Sequence, residues 1–146
     1  MLRWTNFRIL FRNIDGMTTL FTKIVNGSIP SYRIYEDEYT YAFLDITPKT
    51  RGHLLIVPKR VEIADFEELP AEEYVALMQT AQHLARVLKR TFSPRKVALL
   101  IEGLQVPHVH VHLIPIESDA DLHADLLELG EREMEDIQRL IIQNIE

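Results

Sequence analysis

The sequence predicts an α+β fold, an antiparallel sheet of about five strands with helices packed on it. Short apolar runs at 32–35 and 40–44 flank an acidic turn, and those at 97–101 and 106–114 flank the four-residue link 102–105, so each pair reads as a hairpin. Between the pairs lies a long segment with apolar residues at intervals of three and four, the period of a helix covering a sheet. The chain has 146 residues, 47% of them hydrophobic, which is enough for one domain with its own core.

Taken in order, residues 1–17 mix Trp4, Phe7, Ile9 and Leu10 with Arg3, Arg8 and Arg12, in apolar runs too short for a membrane span or a secretory segment. They are expected to be a poorly ordered extension of a single domain at 18–146. Thr19 caps a short helix carrying Phe21, Ile24 and Val25, which Asn26 and Gly27 end. Strands follow at 32–35 and 40–44, and Glu36-Asp37-Glu38 reads as a solvated hairpin tip without a catalytic role. Gly52 precedes a third strand at 53–57, closed by Pro58. Pro70, Glu72 and Glu73 open the long helix and Lys89 and Arg90 close it, each sign opposing the dipole. Its predicted buried stripe is Tyr74, Leu77, Met78, Ala81, Leu84, Ala85 and Leu88, leaving His83 outside; His83 and His123 both read as surface residues. After the Ser93-Pro94 break come strands at 97–101 and 106–114, a surface connection at 117–129, and a last helix at 131–144 with Met134, Ile137, Leu140 and Ile141 inward.

Composition narrows the function. A net charge of −6 and a pI near 5.5 oppose nucleic acid as a partner, whose binding depends on phosphate neutralisation. No membrane partner is expected either. The absence of cysteine excludes disulfides and thiolate zinc sites, and is compatible with the expected cytoplasmic location.

The segment V-P-H-V-H-V-H-L-I-P places His108, His110 and His112 at alternate positions, and a β-strand projects alternate side chains to one face. Val109, Val111 and Leu113 fall on the other face, where burial fixes the register. Three histidines in a plain core would each leave polar nitrogens costing about 1–3 kcal/mol if unsatisfied. Phosphate, proton or metal chemistry is the better account. For metal, strict alternation puts the outer rings about 13 Å apart at roughly 3.3 Å per residue, so an ion needs two strand histidines plus another ligand such as His53.

The histidine segment resembles the signature of the histidine triad family. Residues 21–30, FTKIVNGSIP, are similar to the family's opening helix, 41–46, YAFLDI, to its ribose-side strand, and 52–59, GHLLIVPK, to its third strand. The resemblance spans roughly residues 19–115. It implies that His110 attacks the α-phosphorus of a nucleotide and is transiently nucleotidylated, that His112 donates to a phosphate oxygen, and that His108 orients the cluster with His53 on the same face. Asp45 then binds the ribose, Phe21, Ile24, Phe43 and Ile46 surround a purine base, and Gln105 contacts the scissile bridge. For Phe21, Ile24 and Phe43 a plain core role stands beside this one, and for Asp45 capping of the turn at Thr47-Pro48. No metal or other cofactor is required, and the family pattern implies a homodimer.

The chain departs from that pattern in three places. Thr19 and Thr22 stand where many members carry zinc-binding cysteines, Arg60 where a histidine is common, and Ile101 where an asparagine precedes the phosphate loop. The expected activity is hydrolysis or nucleotidyl transfer on purine nucleoside phosphoramidates or related adenylated compounds. Two other readings remain open, a nucleotide-binding interaction module with negligible turnover and a zinc-dependent hydrolase using the same histidines.

Overall fold

The structure, a computed structural model, describes residues 18–146, so the expected N-terminal extension lies outside the described residues. Thr19 is extended and its hydroxyl accepts the Thr22 N–H at 3.2 Å, which starts α1 (Leu20–Val25). Asn26 ends it, and Gly27 follows at a φ of +82°. Strands β1 (Arg33–Glu36), β2 (Thr40–Leu44) and β3 (Leu54–Pro58) come next, then α2 (Ala71–Phe92), β4 (Lys96–Ile101), β5 (Val111–Ile116), α3 (Ala120–His123) and α4 (Glu131–Gln143). The strands form one antiparallel sheet in the order β1-β2-β3-β5-β4, the predicted architecture. No helix among the described residues is long and apolar enough to cross a membrane.

Strand alternation divides the core into two layers. Ala42, Leu44, Leu54, Ile56, Val111 and Leu113 pack with Leu77, Leu84 and Leu88 of α2 and with Ile137 and Ile141 of α4. The opposite face carries Tyr41, Phe43, Leu55 and Val57, covered by Phe21 and Ile24 of α1 and by Val106. The turn into β3 is fixed by Gly52, whose φ is +89° and where an added Cβ would lie 2.6 Å from the Phe92 ring at the end of α2.

Several details depart from the sequence expectations. Tyr74 is 42% exposed, whereas Glu73, Thr80 and Val87 are buried. The stripe is rotated because polar partners wait beneath it: Glu73 meets the Arg60 guanidinium at 3.1 Å, and the Thr80 and Thr40 hydroxyls lie 2.9 Å apart. Leu140 is likewise exposed, and His83 is half-buried with its ring 5.7 Å from that of Tyr35. The acidic tip is more than a solvated turn, since Asp37 Oδ1 accepts from the Tyr39 and Thr40 amides and from the Thr40 hydroxyl.

The largest correction concerns the last strand, which begins at Val111 rather than 106, so that its link to β4 runs over 102–110. Pro107 has no N–H to give a ladder, the His108 N–H turns back to the Val106 carbonyl at 2.8 Å, and the Val109 N–H goes to Ile63 at 2.7 Å. The segment carrying His108 and His110 is therefore held outside the strand ladder, by a local turn, by side-chain bonds and by the one backbone bond to Ile63. The connection at 117–129 also contains the short helix α3.

Candidate functional site

Alternation survives where the ladder does not. Val109, Val111 and Leu113 are in the helix-covered core, and the histidines point to the α1 side. His112 is paired with Leu55 of β3 and Leu100 of β4. Its ring lies 4.9 Å from that of His110 and 5.2 Å from that of His53, while Phe21 sets its edge against His108 and His110 at 5.8 and 4.8 Å. All four predicted histidines thus meet at one place.

The hydrogen bonds identify the tautomers, because a carbonyl only accepts. His110 Nδ1 lies 2.8 Å from its acceptor, the His108 carbonyl, so Nδ1 carries the hydrogen and the Nε2 lone pair is free. His53 Nδ1 accepts the Lys49 N–H at 2.9 Å, so His53 Nε2–H donates to His112 Nδ1 at 2.9 Å. The His112 hydrogen is consequently on Nε2, a buried atom without a partner among the described residues. His108 donates from Nε2 to the Pro58 carbonyl at 3.0 Å and accepts at Nδ1 from the Thr19 hydroxyl at 2.6 Å. Burial, reinforced by the Lys49 charge, lowers the pKa of His53 to about 4; burial and the neighbouring His110 and His53 do the same for His112, also to about 4. Burial lowers that of His108 as well. These three rings are neutral at pH 7, which preserves the pattern.

Asp45 splits its two oxygens. Oδ1 accepts the Thr47 amide at 2.8 Å and its hydroxyl at 3.1 Å, the turn-capping role, whereas Oδ2 faces His53 Nε2 at 3.6 Å. Burial pushes this carboxyl up. Phe21, Ile24 and Phe43 pack together as buried core, and the Phe21 ring also meets the rings of His108 and His110. Ile46 does not join them: it packs against the core on the other face of the sheet. Gln105 is exposed on the link before His108.

Two residues of the site have no such role in the sequence reading. Thr19 reads there as a helix cap and as a replaced cysteine position, and nothing singles out Glu62, yet Glu62 Oε1 accepts the Thr19 N–H at 3.0 Å and the Thr22 hydroxyl. An acidic residue four positions after Pro58 gives no periodic or motif signal by which to find it.

Asp45, His53 and His112 also form a group of three donors within 4.8 Å of one another, the spacing of a metal site. Their hydrogen bonds oppose that use. The Lys49 N–H occupies the Nδ1 lone pair of His53, so Nε2 holds the ring hydrogen and has no lone pair to give an ion.

The HIT domain matches residues 26–119 of the chain. An uncharacterized HIT-like protein of Methanocaldococcus jannaschii is 38% identical over 108 residues, covering 70% of this chain and 83% of that protein. The adenosine 5'-monophosphoramidase HNT1 of Saccharomyces cerevisiae is 40% identical over 97 residues, covering 66% of this chain and 61% of the yeast protein. A zinc-bound histidine triad family protein from Mycobacterium smegmatis has a similar crystal structure, with a TM-score of 0.76 at 28% identity, over 90% of this chain and 95% of that one.

Proposed function

The chain belongs to the HIT domain family, and on that premise we propose that it is a nucleotide hydrolase or nucleotidyl transferase acting at the α-phosphate of purine nucleoside phosphoramidates or related adenylated compounds. The observation that carries this reading is a complementary pair of ring nitrogens, the lone pair of His110 Nε2 and the buried N–H of His112 Nε2, neither with a partner among the described residues. One atom suits an electrophilic phosphorus and the other an anionic oxygen bound to it. The name of the yeast relative, an adenosine 5'-monophosphoramidase, supports the same substrate class.

His110 Nε2 attacks phosphorus while the bond to the leaving group breaks, and the leaving amine departs with a proton from water. His112 Nε2–H donates to a non-bridging oxygen as charge builds there, an oriented donor that needs no reorganisation. Water then attacks the nucleotidyl-His110 phosphorus, releasing a nucleoside monophosphate, losing its proton to solvent and restoring the lone pair. In this reading Asp45 Oδ2 accepts from the ribose, Phe21, Ile24 and Phe43 form the apolar wall for the base, and Gln105 contacts the scissile bridge. His108 and His53 orient the two working rings.

The same reading includes a homodimer through β4. That strand ends the sheet, and its Leu99 and Leu100 are 44% and 47% exposed. The other edge is protected: β1 has four residues, a break in register, exposed Arg33 and Glu36, and a carbonyl of Arg33 already bonded by Gln138.

Mass spectrometry of the protein quenched during turnover of adenosine phosphoramidate tests the mechanism. An adenylyl adduct on His110 is expected, and turnover is expected to survive EDTA. An adduct on another histidine overturns the assignment of the nucleophile. Nucleotide binding without turnover favours the interaction module, and activity lost to EDTA and restored by zinc favours the metal enzyme.

A further inference from the structure

His110 precedes the first ladder residue of β5, so the sheet does not itself hold the proposed nucleophile. What holds it is its Nδ1–H bond to the His108 carbonyl, at 2.8 Å. The location of that carbonyl depends in turn on the His108 ring, 1% exposed and bonded at both nitrogens, to Pro58 at 3.0 Å and to Thr19 at 2.6 Å. Thr19 is tied down from outside, since Glu62 Oε1 accepts its N–H at 3.0 Å and also the Thr22 hydroxyl one turn later. The Pro58 carbonyl forces the His108 hydrogen onto Nε2, which leaves Nδ1 to accept, and the Thr19 hydroxyl, 2.6 Å from that nitrogen and 3.4 Å from the Thr22 hydroxyl, donates to the nearer acceptor.

We propose that Thr19, anchored by Glu62, is a positioning residue for the nucleophile, holding His108 with Nδ1 as acceptor and thereby fixing both the place of the His108 carbonyl and the nitrogen that His110 leaves free. The proposal rests on the reading of His110 as nucleophile, but its structural half does not. A rotated His108 ring shifts residues 108–110 because, among the described residues, no backbone N–H of this stretch bonds a helix or strand, and that of Val109 goes to Ile63 in the connection after β3. Glu62 is exposed and its carboxylate sits at the surface end of the network, where burial does not require it. Its carboxyl is held below the ordinary range, first by the Thr22 hydroxyl and then by the Thr19 amide.

A helix cap alone would predict something different. Thr19→Asp keeps a strong cap but offers only acceptor oxygens, so it cannot donate to His108 Nδ1 and should draw a second hydrogen onto that ring. Thr19→Ser keeps both roles, and Thr19→Val keeps the shape and neither role. The test is two-dimensional NMR of the histidine ring nitrogens in the substrate-free full chain, with kcat and KM for adenosine phosphoramidate measured beside it. Wild type and Thr19→Ser are expected to show His108 with its hydrogen on Nε2 and His110 with its hydrogen on Nδ1. Thr19→Asp and Thr19→Val are expected to lose that pattern, with kcat down about tenfold and KM within about twofold. Glu62→Ala, at an exposed position that leaves the core intact, is expected to move in the same direction, and Glu62→Gln to stay near wild type because an amide oxygen still accepts. Should Thr19→Val fail to fold, Thr19→Asp and Glu62→Ala decide. A wild-type ring pattern and kcat in Thr19→Asp and Glu62→Ala overturn the proposal, as does a Thr19→Ser protein as impaired as Thr19→Asp. Altered ring tautomers in a chain that does not turn over the substrate would keep the anchoring and reject the phosphoryl-transfer reading alone.

Discussion

His112 Nε2–H is buried with no partner among the described residues, a desolvated donor that a substrate oxygen would satisfy. Removing it should cost about 2.7–4 kcal/mol of transition-state stabilisation, or about 10²–10³ in kcat, while His110 can still form the adduct. Single-turnover kinetics with adduct detection should therefore separate His112→Ala, slow but adduct-forming, from His110→Ala, which should bind nucleotide and form none. The same histidines set a pH dependence of stability. His53 and His112 titrate near 4 when folded and near the ordinary 6.5 when unfolded, so the unfolded chain binds more protons between those values. Their contribution is complete above pH 6.5 and is lost as pH falls towards 4. Thermal denaturation should show a melting temperature that drops across this window, and less steeply in His53→Gln. At this scale the sequence was legible where the motif is dense: four histidines were correctly expected to meet. Ile46, an even position like Ala42 and Leu44, packs against the helix-covered core, the side that the alternation of β2 gives it. Thr19 and Glu62 escaped because 43 residues separate them and neither interrupts a pattern.

Among the elements, α2 shows how apolar periodicity is overridden. Seven positions were predicted to face inward, but Glu73 and Thr80 have dedicated partners in Arg60 and Thr40, and Tyr74 turns out to solvent. A helix with one polar residue satisfied beneath it rotates to keep that bond, and hydropathy alone does not contain the bond. The histidine segment fails for a related reason: alternation predicted the correct faces but not the ladder, because Ile63 and Thr19, distant in sequence, take over the donors and acceptors. Gly52 links elements more rigidly. Its positive φ and the Phe92 ring 2.6 Å from a would-be Cβ both exclude a side chain, and His53 is the next residue. Gly52→Ala is accordingly expected to lose more than about 1 kcal/mol in chemical denaturation and to reduce kcat, since the turn that presents His53 must shift. Full stability with normal kcat would show that the turn yields at no cost.

At the scale of the whole molecule, the order β1-β2-β3-β5-β4 lays the site across one face of the sheet while α2 and α4 seal the other. Asp45 follows β2, His53 precedes β3 and His112 lies in β5, so a ligand spanning three adjacent strands, about 4.8 Å apart, would extend from ribose to phosphate. The proposed dimer uses the remaining edge. Leu99→Lys places a charge on exposed β4 and should shift the chain from dimer to monomer in sedimentation measurements without unfolding it; a dimer that persists would move the interface elsewhere. For an inhibitor chemist, the proposed function makes the ring pair described above a two-point pharmacophore of fixed polarity. His110 presents an electron pair and His112 a hydrogen, with ring centres 4.9 Å apart, and the bonds behind both rings oppose an exchange of roles. Oxyanions that can accept a fifth bond, such as vanadate, match both points, while ligands that present a cation or a second donor to His112 meet a like pole.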